Sequence, residues 1–468
     1  MDAPSVVERV ATVWDRDALP ALLDYLRIPN RSPAFDADWA AHGHMARAAQ
    51  LICDWMRSRP IAGLRVSLEQ IEGRTPVIVA EIAGTAPGTV VLYGHLDKQP
   101  EMTGWRDGLN PWEPVIEGER LYARGAGDDG YAAFAAMTAI EAVQACGGQH
   151  ARLVVLIEAS EESGSPDLPA YIKALADRIG TPDLVICLDS GCATWDRLWL
   201  TTSLRGLISL TLTVRVLTEG VHSGAAGGVV PSTFRILRAL LARIEDAATG
   251  ELLVRELHTQ VPIEREHEVI AAAARLGVEG TGHFPFVDGA GAVTVDPAAQ
   301  LLATTWQPAM EVIGLDGVPS VADGGNVQRP YTTVRLSFRV PPNCNAGAAR
   351  DAIIRTLQAD PPYGASVEIA TRECASGWNA PATAPWLSKA IDQASLTAYG
   401  NPAQAIGEGG SIPFMGMLGR RFPDAQFVIT GVLGPDTNAH GPNEFLHLPT
   451  AQRITVAVAH LLDSHATR

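Results

Sequence analysis

No CxxC pair occurs among the six cysteines, Cys53, Cys146, Cys187, Cys192, Cys344 and Cys374, so a zinc ribbon or a thioredoxin-like redox motif is excluded. No apolar run approaches the roughly 18 residues that a membrane-spanning helix needs, so no membrane partner is expected. Residues Met1 to Ser5 show no basic region leading into an apolar core, so no secretory leader is expected. With scattered cysteines, this predicts a reducing, cytoplasmic setting. Positive charge is in deficit, with 36 Lys and Arg against 52 Asp and Glu and a net charge of −16. That argues against a nucleic-acid partner, which phosphate neutralisation would demand. No GxSxG elbow, GxxxxGK[ST] loop or HExxH helix is present, and no internal repeat or low-complexity tract is evident.

What remains is an ordinary globular composition, 47% hydrophobic and 19% charged, in a chain long enough for two or three domains. Residues 5–28 and 40–58 carry apolar residues at helical spacing, and Leu64–Gln70 and Val77–Ile82 read as strands. Three continuous apolar runs follow: Thr89–Leu92, Leu153–Ile157 and Leu184–Leu188. The first leads through Tyr93-Gly94 into His95-Leu96-Asp97, the second into Glu158-Ala159-Ser160-Glu161-Glu162, the third into Asp189. Between them, a glycine-rich segment, Gly125-Ala126-Gly127-Asp128-Asp129-Gly130, precedes a small-residue helix from Tyr131 to Ala145. From Leu207 the pattern changes to strict alternation, repeated at Val334–Val340, which is the mark of a half-buried antiparallel strand. A helix is expected over about 232–247 and an irregular region thereafter to about Asp323. Helix 386–399, strand 425–430 and helix 450–464 complete the chain. The fold class expected is α/β, with a catalytic domain split into 1–206 and 383–468 around an inserted α+β domain, 207–382.

Each polar group taken alone has a bland alternative. Asp128 would serve equally as a helix N-cap, Glu161-Glu162 as an exposed acidic turn, and His440 as a loop residue. Together, His95, Asp128, Glu162, Asp189 and His440 supply two imidazoles and three carboxylates at strand ends. That set suits two zinc or manganese ions better than one. A shared carboxylate would hold such ions about 3.5–4 Å apart, the spacing of two-metal hydrolases. Glu161 is then free to take a proton from water and pass it to a leaving amine.

The chain resembles the co-catalytic di-zinc metallopeptidases that include carnosine dipeptidases, carboxypeptidase G, aminoacylase and succinyl-diaminopimelate desuccinylase. The matching motifs are Gly94-His95-Leu96-Asp97, Arg124-Gly125-Ala126-Gly127-Asp128-Asp129-Gly130, Glu161-Glu162-Ser163-Gly164-Ser165, Asp189-Ser190, His222-Ser223-Gly224, Gly409-Gly410-Ser411-Ile412-Pro413 and Ala439-His440. They stand in the family's order along nearly the whole chain. The resemblance implies that His95 and Asp189 bind one metal, Glu162 and His440 the other, and that Asp128 bridges them through a segment with a cis peptide bond. Asp97 would orient His95, and Glu161 would be general base and then acid. The inserted domain would act as lid and dimerisation domain. In it, His222 would stabilise the oxyanion of a partner subunit's site, and Arg339 would take the substrate carboxylate. Asn326, Gly410 and Ser411 would add polar contacts.

Two departures stand out: the acidic pair is not followed by the lysine many members carry, and Lys98 occupies a commonly apolar position. Lys98 is expected to face solvent or pair with the acidic site. In the family it resembles, aspartate at the position of Asp189 goes with dipeptidase or aminopeptidase members, so the resemblance implies such an exopeptidase acting on dipeptides, and it likewise implies a homodimer. The alternative is an N-acyl-amino-acid deacylase. A non-catalytic binding protein would lack Glu161 or some ligands, and all are present.

Overall fold

The computed structural model describes residues 1–281, 284–410 and 413–468. The chain divides into two compact units, one of Met1–Thr201, Ala380–Ile406 and Pro413–Arg468, the other of Thr202–Asn379 and Gly407–Ile412.

The first unit is built on a six-stranded sheet, in the order Leu64–Glu69, Val77–Ile82, Ala151–Glu158, Ala86–His95, Leu184–Cys187, Gln426–Ile429. The last four run parallel and the first two antiparallel. The three continuous apolar runs are the adjacent central strands. Their residues are buried almost throughout, as parallel strands covered on both faces must be. Helices Ala132–Ala145 and Leu448–Ala466 pack against the strands Ala86–His95 and Ala151–Glu158. The first of these is buried from Ala132 to Val143, and its alanines let it approach the sheet closely. Because the central strands are parallel, their C-terminal ends emerge along one edge, where ligands bind in such sheets.

The N-terminal helical segment is not continuous. It runs Ala3–Val13, opens into a π-turn over Trp14–Ala18 and resumes at Leu19–Leu26. Pro20 lacks the N–H that would bond four residues back, which loosens the turn before it. The second helix is likewise divided, at Gly43, whose φ of 69° breaks the α-helical path.

The second unit holds a four-stranded antiparallel sheet in the order Ala309–Asp316, Tyr331–Val340, Gly206–Arg215, Ser366–Ala375. Alternation along it puts Ile208, Leu210, Leu212, Val214, Val334, Leu336, Phe338 and Val340 into one core. Helices Thr233–Leu241 and Ala346–Gln358 contribute Ile236, Leu240, Ile353 and Leu357 to that core. The stretch expected to be irregular up to Asp323 instead contains helices Ile263–Thr281 and Pro297–Thr305 and the strand Ala309–Asp316. Burial of Arg265, Val269, Ala272 and Ala273 follows helical spacing, a signal masked by the glycines that crowd 277–291. Among the described residues, no helix is long and apolar enough to cross a membrane.

Candidate metal centre

All five expected metal ligands lie in the first unit and converge. Asp128 stands between two imidazoles: His95 Nε2 is 3.3 Å from its Oδ1 and His440 Nε2 is 2.9 Å from its Oδ2. Each imidazole has a carboxylate of its own besides. Asp189 Oδ2 is 3.7 Å from His95 Nε2, and Glu162 Oε2 is 3.3 Å from His440 Nε2. Donor atoms of His95, Glu161 and Asp189 lie within 4.8 Å of one another, as do those of His95, Asp128 and Glu162.

Local sequence explains how these groups are held. His95 ends its strand directly after Gly94. A Cβ on Gly94 would come within 2.7 Å of both Ala132 Cβ and Asp129 Oδ2. Only glycine lets the Asp129 carboxylate come close enough to accept the His95 backbone N–H, at 3.2 Å. The peptide bond from Asp128 to Asp129 is cis. Asp97 contacts His95 as expected and does a second thing besides. His95 Nδ1 lies 3.0 Å from the Asp97 backbone carbonyl, whereas the Asp97 carboxylate is 3.5 Å away. That carboxylate also accepts the backbone N–H groups of Glu161 and Glu162, each at 3.0 Å. Asp97 thus orients His95 through its main chain and fixes the acidic turn through its side chain.

Lys98 neither faces solvent nor hydrogen-bonds to the acidic site. It is fully buried, and its Nζ donates to the carbonyls of Tyr25, Leu26 and Ile28 at 3.2, 3.4 and 2.9 Å. It thereby caps the carbonyl end of helix Leu19–Leu26, where a cation is favoured, and lies 4.1 Å from the Tyr25 ring centroid. Its stem fills the space above Gly125, where a Cβ would meet it at 2.7 Å; with φ at +76°, that position needs glycine twice over.

Electrostatics marks the cluster as short of positive charge. Burial alone would lower the His95 pKa, but Asp189, Asp128 and Asp97 together hold it well above the usual imidazole value. Burial would raise Asp128, yet hydrogen bonds from His440 and His95 pull it below the carboxylate range. Glu161 is pushed well up by burial and then by Asp189, and Glu162 by burial and then by Asp128. Glu162 Oε1 is buried and has no hydrogen-bond partner among the described residues. A buried group of carboxylates exceeding its imidazoles, with an orphaned oxygen, is the donor set that divalent cations satisfy.

Several residues enter that the sequence reading did not assign. Gln99 Nε2 donates to Glu162 Oε2 at 2.6 Å. Glu158 is buried behind the cluster, bonded by Tyr93 Oη at 2.6 Å and Ser165 Oγ at 2.8 Å, with its pKa pushed up to about 7 chiefly by burial and the Asp97 charge. Arg124 and Glu444 pair at 2.5 Å. Arg124 stands inside a matched motif and Gln99 just past another, whereas Glu158 and Glu444 lie outside them, where the sequence carries no signal.

The other expected site residues belong to the second unit, and Ser411 lies outside the described residues. His222 is exposed and pairs with Val327 across a short two-stranded ribbon; its Nδ1 accepts the Gly224 N–H at 3.1 Å. The Asn326 carbonyl accepts the Ser223 N–H at 2.9 Å, so His222 and Asn326 are neighbours. Arg339 lies on the polar face of its sheet, opposite Leu207 and Ala309. It makes no hydrogen bond or ion pair among the described residues, and its charge helps burial lower Arg205 to about 10. Gly410 is exposed at a bend.

Comparison with known proteins gives a consistent picture. The family model described as Peptidase family M20/M25/M40 matches residues 91–464. A cysteinylglycine-S-conjugate dipeptidase of Corynebacterium striatum is 30% identical over 397 residues, 83% of each chain. A Beta-Ala-His dipeptidase of Homo sapiens is 26% identical over 384 residues, covering 79% of this chain and 73% of that protein. The solved structure of the dipeptidase Dug1p from Saccharomyces cerevisiae superposes with a TM-score of 0.76 at 20% identity, covering 100% of this chain and 99% of that one.

Proposed function

The chain belongs to peptidase family M20/M25/M40, and on that premise we propose a metal-dependent dipeptidase that works through two divalent ions, with zinc favoured over manganese. The observation that carries this reading is the Asp128 carboxylate, one oxygen toward His95 and the other toward His440. In this reading His95 and Asp189 would hold one ion, Glu162 and His440 the other, and Asp128 would serve both. When bound, the ions would supply Lewis-acid activation of a water and of the scissile carbonyl. Glu161, held by its N–H on Asp97, takes the water's proton and delivers it to the leaving amine. Arg339 receives the substrate carboxylate as a planar fork, His222 donates to the oxyanion, and Asn326, Gly410 and Ser411 contact the substrate. The dipeptidase names of the relatives support dipeptides as the substrate class.

The second unit is the lid and dimerisation domain in this reading. Its strand Ala309–Asp316 is a sheet edge that exposes Val312, Ile313 and Leu315. Such an edge invites pairing with a second copy. A cytoplasmic location is supported by six free cysteines.

Hydrolysis of a dipeptide and N-acyl-amino-acid panel by metal-stripped protein, with zinc or manganese restored, tests the reading. The expected result is dipeptide turnover that returns with metal and falls about 100- to 10,000-fold in Glu161→Gln, the range a general base contributes. Turnover of N-acyl amino acids alone makes the chain a deacylase. Absence of both turnover and metal binding overturns the reading.

A further inference from the structure

His440 reaches the cluster from a loop of unfavourable backbone. Asp436, Asn438, His440 and Asn443 all have positive φ, with His440 at 64°, a region that non-glycine residues adopt at a cost. The His440 ring itself is half exposed, so packing does not fix it. What restrains this loop is therefore a question of specific bonds.

Arg124 supplies them. Its Nη2 donates to the carbonyls of His440 and Gly441 at 3.2 and 2.7 Å, and its Nε donates to the Pro100 carbonyl at 3.0 Å. Its Nη1 donates to Glu444 Oε2 at 2.5 Å, and both side chains are 0% exposed. Glu444 is in turn committed to the other loop. Its Oε1 accepts the backbone N–H of Gly125 at 3.0 Å and that of Asp128 at 3.4 Å. One guanidinium and one carboxylate thus join the main chain that carries His440 to the main chain that carries Asp128. Among the described residues, the side-chain bonds of Arg124 and Glu444 go to each other and to Pro100, Gly125, Asp128, His440 and Gly441, not to the strand-end His95.

We propose that the Arg124–Glu444 pair is a positioning device for the second ion, the one assigned to Glu162 and His440, and that the ion assigned to His95 and Asp189 depends on it far less. Arg124 holds the left-handed turn at His440 at the height where its Nε2 faces Asp128. Glu444 holds the Asp128 end. The proposal rests on the two-ion reading above. Supporting groups outside the ligand shell commonly change metal affinity about 10- to 100-fold when altered.

Equilibrium dialysis of metal-stripped protein against buffered zinc, with zinc counted per chain, tests it on wild type, Arg124→Lys and Glu444→Gln. Arg124→Lys keeps the buried charge opposite Glu444 but lacks the arms that reach His440 and Gly441. The expected result is one ion bound as in wild type and a second bound about 10- to 100-fold more weakly. Hydrogen exchange of residues 438–441 in the metal-free variants is expected to quicken. Thermal melting of the metal-free proteins records any general loss of fold. Should Arg124→Lys not fold, Glu444→Gln carries the same comparison. Two ions bound as tightly as in wild type, with only the melting temperature lowered, makes the pair merely structural and overturns the proposal. Equal weakening of both ions overturns it too. Wild type that binds fewer than two ions sinks the two-ion reading itself, and this inference with it.

Discussion

His440 Nε2 stands 2.9 Å from Asp128 Oδ2, although one sits in a late loop and the other in an early one. His95 approaches the opposite oxygen, so the two imidazoles never compete for the same lone pairs. Removing His440 deprives only one side of this arrangement. His440→Ala is expected to lower bound zinc from about two ions per chain to about one and to abolish dipeptide turnover. Metal analysis after dialysis checks it; retention of both ions takes His440 out of the ligand set.

Gly94 is a steric requirement. Gly94→Ala places a Cβ about 2.7 Å from both Ala132 Cβ and Asp129 Oδ2, in a layer with no room to shift. The expected loss is about 1–3 kcal/mol of stability, as for other overpacked cores, with weaker metal binding because the His95 N–H bond to Asp129 is disturbed. Denaturant unfolding of the metal-free and metal-loaded proteins separates the two effects.

Glu158 makes the metal-free protein sensitive to pH. Its folded pKa is raised from 4.5 to about 7 by burial and the Asp97 charge. A carboxyl with a raised folded pKa favours folding while it is protonated. Its contribution is therefore complete below about pH 4.5 and is lost as pH rises through about 7, on the order of 3 kcal/mol for such a shift. Glu158→Gln cannot ionise. Its stability is expected to rise relative to wild type between pH 5 and 8, measured by urea unfolding of both metal-free proteins; parallel pH curves contradict the assignment.

Lys98 works in the opposite sense. Burial holds its pKa well below 10.5, so the folded chain resists protonating it while the unfolded chain does not. Stability from this group rises as pH approaches 10.5 and is lost as pH falls. The melting temperature of wild type minus that of Lys98→Met is expected to increase with pH; a difference independent of pH points to a lysine that titrates normally.

Arg339 has no hydrogen bond or ion pair among the described residues, so its guanidinium is available to a ligand. Arg339→Lys keeps the charge and loses the fork. Losing one charge-assisted hydrogen bond costs about 1.5–3 kcal/mol, which predicts a KM raised about 10- to 100-fold with kcat changed far less. Initial-rate kinetics on one dipeptide decides it, and an unchanged KM removes Arg339 from substrate binding.

The chain's local patterns determined much of this protein. Continuous apolar runs announced buried parallel strands, and a sheet edge receives whatever follows such strands, so His95, Glu161, Glu162 and Asp189 were legible as a group. Alternation at 207–216 and 334–340 announced the second sheet for the same reason: period in sequence is face in space. Helix Ile263–Thr281 carries its period too, but glycines from Gly277 onward, the first of them non-helical, obscure where it ends.

Tertiary structure alone decided the rest. Lys98 reads as a surface cation until helix Leu19–Leu26 presents three carbonyls to it. Asp97 reads as a partner of His95 and is one; what the fold alone adds is the turn at Glu161, which delivers two backbone N–H groups to the same carboxylate. Arg124 and Glu444 show no spacing that pairs them, because a contact between distant segments leaves no period in the sequence. Burial and long-range hydrogen bonding arise only when the chain closes on itself. Those are the terms that shift pKa values and fix the backbone of ligand-bearing loops.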